Sequence, residues 1–150
     1  MEEVISSNLF EKNGYMLMGL KKMKEKMKIL VGVDGSDNST WALMDAIILA
    51  KKFSGSIKVL TVYKQGKKDE ANKSLLKVKQ LLDGENIDSS TLSILGSNPA
   101  RALVDVAENE TFDLIAVGSR GLGNAASFLL GSVSKQVVSK ASCNVLVAKK

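Results

Sequence analysis

The sequence predicts a doubly wound α/β domain built on one parallel, five-stranded sheet. Five short strand-like segments, four of them predominantly apolar, recur between Lys28 and the end of the chain. Between them lie stretches whose apolar residues fall at helical spacing. Strands alternating with helices of about 10–15 residues are the pattern of βαβ units and so of parallel pairing. Right-handed crossovers then place helices on both faces of the sheet.

The first run, KILVGV at Lys28–Val33, stops at the turn cluster Asp34-Gly35-Ser36 and reads as a buried strand. Ser36 to Ser39 offers N-caps for a helix. That helix carries Ala42, Leu43, Ala46, Ile47 and Ala50 to about Phe53, and Ser54-Gly55 closes it. SIKVLTVY at Ser56–Tyr63, rich in β-branched residues, is the second strand. After the polar loop Lys64–Lys68, a second helix aligns Ala71, Leu75, Val78 and Leu82 and ends at Asp83-Gly84. The stretch from Ser90 to Leu95 alternates polar and apolar residues, as a half-exposed edge strand does.

Asn98-Pro99 opens a third helix, with Asn98 as cap and the proline in the first turn. Ala100, Leu103, Val104 and Ala107 form its apolar face. Phe112–Val117 reads as the fourth strand. Val133, Val137, Val138 and Ala141 mark a fourth helix, and NVLVA at Asn144–Ala148 is the fifth strand.

A chain of 150 residues, 45% apolar and 25% charged, suits one globular domain with an aliphatic core. No apolar run reaches the roughly 18 residues of a membrane-spanning helix, and the first 28 residues lack the apolar core of a signal peptide. A cytoplasmic protein is therefore expected. Residues 1–27 are rich in Met and Lys and form a basic extension, an arm or a short helix, before a domain spanning 28–150.

The absence of histidine excludes a Ser-His-Asp triad, a Cys-His pair and any histidine-bearing metal site. The single cysteine, Cys143, excludes an intrachain disulfide and a cysteine-rich zinc site; it is expected to be a small buried residue. A net charge of +5 attracts polyanions, but the lysines are scattered without interleaved aromatics, so nucleic acid is not an expected partner.

The segment after the fourth strand holds the chemistry. Gly118 ends the strand, Gly121 and Gly123 follow, and Gly131-Ser132 opens the last helix. Glycines let the backbone approach a ligand closely. A helix amino terminus presents free N–H groups and a positive dipole end. The hydroxyls of Ser132 and Ser134 and the guanidinium of Arg120 add donors. Together these describe a phosphate cradle; plain turn chemistry is the alternative. Neither a Walker A loop nor a G-x-G-x-x-G fingerprint is present.

The spacing that is present, G-x-x-G, nine residues, then G-S, resembles the ATP-binding signature of the universal stress protein family, with Gly118, Gly121, Gly131 and Ser132 on its fixed positions. KILVGVDGS resembles that family's first strand and acidic turn, FDLIAVGSRGLG its fourth strand and loop, and GSVSKQVVSKASCNVLVAKK its last helix and strand. The likeness runs from about Lys28 to Lys149.

The resemblance implies a sheet of order 3-2-1-4-5 and an ATP site, with Mg²⁺ or Mn²⁺. Gly32, Val33 and Asp34 would line the adenosine end, and Val62 would lie against the adenine. Gly118, Ser119, Arg120, Gly121, Gly123 and Asn124 would wrap ribose and phosphates, and Gly131, Ser132, Val133 and Ser134 would hold the phosphates. It further implies a homodimer through the edge strand Asn144–Ala148, which is apolar on both faces. The implied role is a nucleotide-dependent regulatory module of the stress response. Two alternatives are a slow ATPase, with Asp34 helping to hold a metal or orient water, and a nucleotide-free interaction module. No residue stands out as a catalyst.

Overall fold

The computed structural model describes residues 26–120 and 130–149. The sheet is centred on β1 (Lys28–Gly32), flanked by β2 (Ser56–Tyr63) and β4 (Leu114–Gly118), with β3 (Asp88–Leu95) and β5 (Asn144–Ala148) at the edges. All four pairings are parallel. Ile29, Leu30 and Val31 are fully buried, as an apolar run must be when helices cover both faces of a central strand. The order β3-β2-β1-β4-β5 is the one the resemblance implies.

Among the described residues there are four helices: α1 (Asp37–Lys52), α2 (Lys68–Asp83), α3 (Pro99–Asn109) and α4 (Ser132–Lys140). The pleat sorts side chains between two layers. Ile29, Val31, Ile57, Val59, Leu114 and Ala116 face α1 and α2, meeting Ala42, Leu43, Ala46, Ile47, Ala50, Leu75 and Leu82. Leu30, Leu60, Ile115 and Val117 face the other way, against Ala100, Leu103 and Ala107 of α3 and Val137 of α4. Each buried Val, Leu or Ile among them contributes about 1.5–3 kcal/mol.

The helix signals sit where the sequence puts them. Ser36 caps α1, its Oγ accepting the Ser39 N–H at 3.2 Å. Asn98 caps α3, its Oδ1 accepting the Arg101 N–H at 3.0 Å. Ser54 takes the left-handed conformation after α1, with φ 50°, and the Gly55 N–H returns to the Ala50 carbonyl at 2.8 Å.

Several expectations shift. β1 stops at Gly32 rather than Val33, although the Val33 N–H still reaches the Leu60 carbonyl at 2.9 Å. β3 starts at Asp88, two residues before Ser90, because the whole of β2 pairs with it. β4 runs Leu114–Gly118 and not Phe112–Val117. The Phe112 N–H closes onto the Ala107 carbonyl at 2.9 Å, so this residue belongs to the end of α3 and the turn after it. Val138 is half exposed, because the α4 stripe that meets the sheet is narrow and centred on fully buried Val137. Cys143 is only partly buried, packed at the rim of the α3–α4 layer. Among the described residues no helix is long and apolar enough to cross a membrane.

Candidate functional site

In a parallel sheet of this order, crossovers from β1 and β4 leave to opposite faces, and a crevice opens beyond the carboxyl ends of these two strands. All five buried polar residues among those described, Ser36, Ser39, Thr61, Ser119 and Ser134, gather at this end of the sheet. Buried hydroxyls need partners, and those of Ser36, Ser39, Thr61 and Ser134 find them on the backbones of the two loops that face the crevice.

The first loop follows β1. Val33 is bound to β2 twice, through its N–H to the Leu60 carbonyl and through its carbonyl, which accepts the Thr61 hydroxyl at 2.9 Å. The Asp34 carboxylate accepts the Ser36 N–H at 2.9 Å, an Asx turn that leads into the α1 cap. The Asp34 N–H meets the Ser39 hydroxyl at 3.4 Å. Asp34 itself is exposed at the mouth.

The second loop follows β4. Gly118 lies directly under the start of α1: a Cβ there would stand 2.6 Å from the Asn38 carbonyl carbon and 2.7 Å from the Ser39 nitrogen. Glycine at this position lets helix and strand touch. The Ser119 N–H binds the Ala148 carbonyl at 2.7 Å, and the Ser119 carbonyl accepts both the Gly131 N–H at 2.7 Å and the Ser134 hydroxyl at 3.0 Å. The Arg120 carbonyl receives the Ser36 hydroxyl at 3.4 Å. Gly131 is close enough to Arg120 that an added Cβ would lie 3.3 Å from the Arg120 Cα. The chain thus leaves at Arg120 and returns at Gly131 to the same point.

At that point α4 begins, with Gly131 as N-cap and no side-chain cap. The first N–H groups of a helix lack intrahelical acceptors, so α4 offers Ser132, Val133 and Ser134 amides and a positive dipole end to whatever lies above. Ser132 is exposed; Ser134 is buried and its hydroxyl also reaches the Gly131 carbonyl at 3.0 Å. Val133 packs onto the α3–α4 layer.

The predicted site residues fall into three groups. Asp34, Ser119, Arg120, Gly131, Ser132, Val133 and Ser134 meet around the β1/β4 crevice. Gly32, Val33 and Gly118 lie at the ends of β1 and β4 that open into it, while Val62 stands apart at the end of β2. The side-chain space at Gly32 is taken by Leu103, 2.8 Å from an added Cβ, and Val62 is half-buried beside Gly96 at the end of β2. Gly121, Gly123 and Asn124 lie outside the described residues. Among the described residues, no group of three His, Cys, Asp or Glu side chains is placed to hold a metal.

Sequence reasoning missed Thr61 and the reach of Ser36 across to Arg120. The only local signal for either is a hydroxyl residue at a strand end or helix cap, a position with several ordinary uses.

The sheet order and the helix amino terminus that opens onto the switch-point crevice without a side-chain cap define the class: a doubly wound α/β domain whose crevice lies beyond the carboxyl ends of β1 and β4. The chain belongs to the universal stress protein family, whose model matches residues 26–149. It is 32% identical to universal stress protein MJ0531 of Methanocaldococcus jannaschii over 155 aligned residues, covering 91% of each chain. Among solved structures, the protein MJ0577 superposes with a TM-score of 0.75 at 26% identity, over 83% of this chain and 96% of that one. A universal stress protein crystallised in complex with cAMP superposes with a TM-score of 0.68 at 25% identity, over 82% of this chain and 97% of that one.

Proposed function

We propose that this protein is an ATP-binding regulatory module of the stress response, working in the cytoplasm as a homodimer. The observation that carries the reading is the uncapped start of α4, held against the end of β4 by Gly131 and Ser119 beneath the G-x-x-G-x9-G-S spacing. Free amides and a helix dipole at one point favour an anion. Nucleotide binding by a structural relative, the protein in complex with cAMP, supports the same class of ligand. Phosphates would bind the Ser132–Ser134 amides and Arg120, with adenosine over Val33 and Val62. Asp34 is the exposed carboxylate on the facing turn and would hold Mg²⁺ or Mn²⁺ through water. The β5 edge, with Val145, Leu146 and Val147 only partly covered, would pair with its copy.

The test is twofold. Protein purified without added nucleotide is denatured and its released small molecules identified by mass spectrometry. Stripped protein is then titrated with Mg²⁺-ATP and with adenosine by calorimetry. Recovered adenine nucleotide, with ATP bound at least tenfold more tightly than adenosine, is expected. An empty protein indifferent to millimolar ATP would overturn the phosphate reading. Light scattering at micromolar concentration reads the dimer, and Val145→Lys with Val147→Lys should yield monomers.

A further inference from the structure

On the face of the sheet opposite Gly32 and Leu103, a separate cleft of about 440 Å³ opens between α1 and the first turns of α2. That volume lies within the roughly 300–1,000 Å³ of small-molecule sites. Its floor is apolar: Val33, Leu43 and Val78, members or neighbours of the α1–α2 core. Its rim is cationic. Lys73 and Lys77 stand one turn apart on α2 with Ser74 between them, so their ammonium groups share one side of the helix. Among the described residues no hydrogen bond or ion pair engages either of them. Glu70 also lines the cleft, but its carboxylate is paired with Lys67 at 2.6 Å, which leaves the rim with an excess of positive charge. The hydroxyls of Ser39 and Thr40 already donate to the Ser36 carbonyl. The Ser74 hydroxyl and the two ammonium groups therefore remain to set polarity.

We infer that this cleft is a second ligand site, for a small monoanion with an apolar body such as a medium-chain carboxylate. The anionic head lies between Lys73 and Lys77, and the apolar part covers Leu43 and Val78. An adenine nucleotide is a poor occupant, because the cleft and the amino terminus of α4 lie on opposite faces of the sheet. The two sites share the turn from Val33 to Ser39 at their border, but their anion-binding groups, Lys73 with Lys77 here and the amino terminus of α4 there, are different, so either reading can fail without the other.

The experiment is an amide NMR titration of the full chain with octanoate, with 1-octanol as the uncharged counterpart. Octanoate should move the Gly35, Ser39, Thr40 and Ser74 amides saturably at millimolar concentration, and octanol should not. Lys73→Glu with Lys77→Glu, both at exposed positions, should weaken octanoate at least tenfold while the rest of the spectrum is retained. Glu70→Gln should tighten it two- to threefold. Saturating Mg²⁺-ATP should leave the octanoate affinity unchanged. Equal binding of octanol, unaltered affinity in the double variant, shifts centred on Val62 and Ser132–Ser134, or displacement by ATP would each overturn the inference.

Discussion

At the amino end of the sheet the strands are held by charge, and at the carboxyl end by hydroxyls. At the amino end, the Lys28 N–H binds the Asp113 carboxylate at 2.9 Å and the Asp113 N–H returns to the Lys28 carbonyl at 2.9 Å. The Lys28 ammonium donates to the Glu110 carbonyl where α3 ends, Lys58 pairs with the Glu110 carboxylate, and the two ammonium groups lie 4.9 and 5.9 Å from the centre of the Phe112 ring. At the carboxyl end the same task of tying loops together falls to Ser36, Ser39, Thr61 and Ser134 acting on backbone. Helix dipoles explain the division. Cations suit the carboxyl terminus of α3. At the amino terminus of α4, a fixed side-chain carboxylate would occupy the N–H groups an anion needs, whereas neutral hydroxyls fix the loops and leave those groups open.

The contrast can be broken most forcefully at Gly118. Gly118→Val should cost about 3 kcal/mol in urea denaturation, because its side chain meets α1 backbone that cannot swing aside. At the other end, Asp113→Ala strips the Lys28 N–H of its carboxylate acceptor and should cost about 1–2 kcal/mol, with no change in ATP affinity by calorimetry. Ser134→Ala should cost about 1 kcal/mol, since the Ser119 carbonyl keeps the Gly131 N–H; its distinguishing mark is a several-fold loss of ATP affinity that Asp113→Ala does not show. Ser132→Glu sharpens the division further. A carboxylate in the first turn of α4 should raise stability by up to about 0.5 kcal/mol, while ATP affinity falls more than tenfold. Equal ATP affinity in Ser132→Glu and the parent would remove the phosphates from this helix end. Arg101→Ala, which opens an exposed ion pair on α3 at 3.5 Å, should move stability by less than about 0.5 kcal/mol and serves as the reference.

Much of the fold is legible in the sequence because its signals are local. Ser36 and Asn98 announce helix starts within three residues of the groups they bind. The apolar runs of β1, β2 and β5 are short and bounded by turn residues. What escaped depends on partners far along the chain. Phe112 reads as strand because it is apolar beside apolar residues, yet its backbone belongs to the end of α3 and its ring to Lys28 and Lys58. Gly118 reads as ligand chemistry, and its fit against Asn38 and Ser39 is visible only once α1 is laid across β4. The Thr61 hydroxyl finds Val33, 28 residues away, through the β1–β2 register. The crevice itself was legible through Gly131-Ser132 and the acidic turn; the hydroxyl frame around it was not, since a buried serine and an exposed one look alike in sequence.

The junction at Ser119, where one carbonyl holds both the returning Gly131 amide and the Ser134 hydroxyl, makes Arg120 and Gly131 two adjacent fixed posts. Contacts among the described residues alone, from Ala148 through Ser119 to Gly131 and Ser134, bring the posts together. The sequence between Arg120 and Gly131 is therefore free to diverge while the core beneath, anchored through Ser119, keeps its stability and its shape.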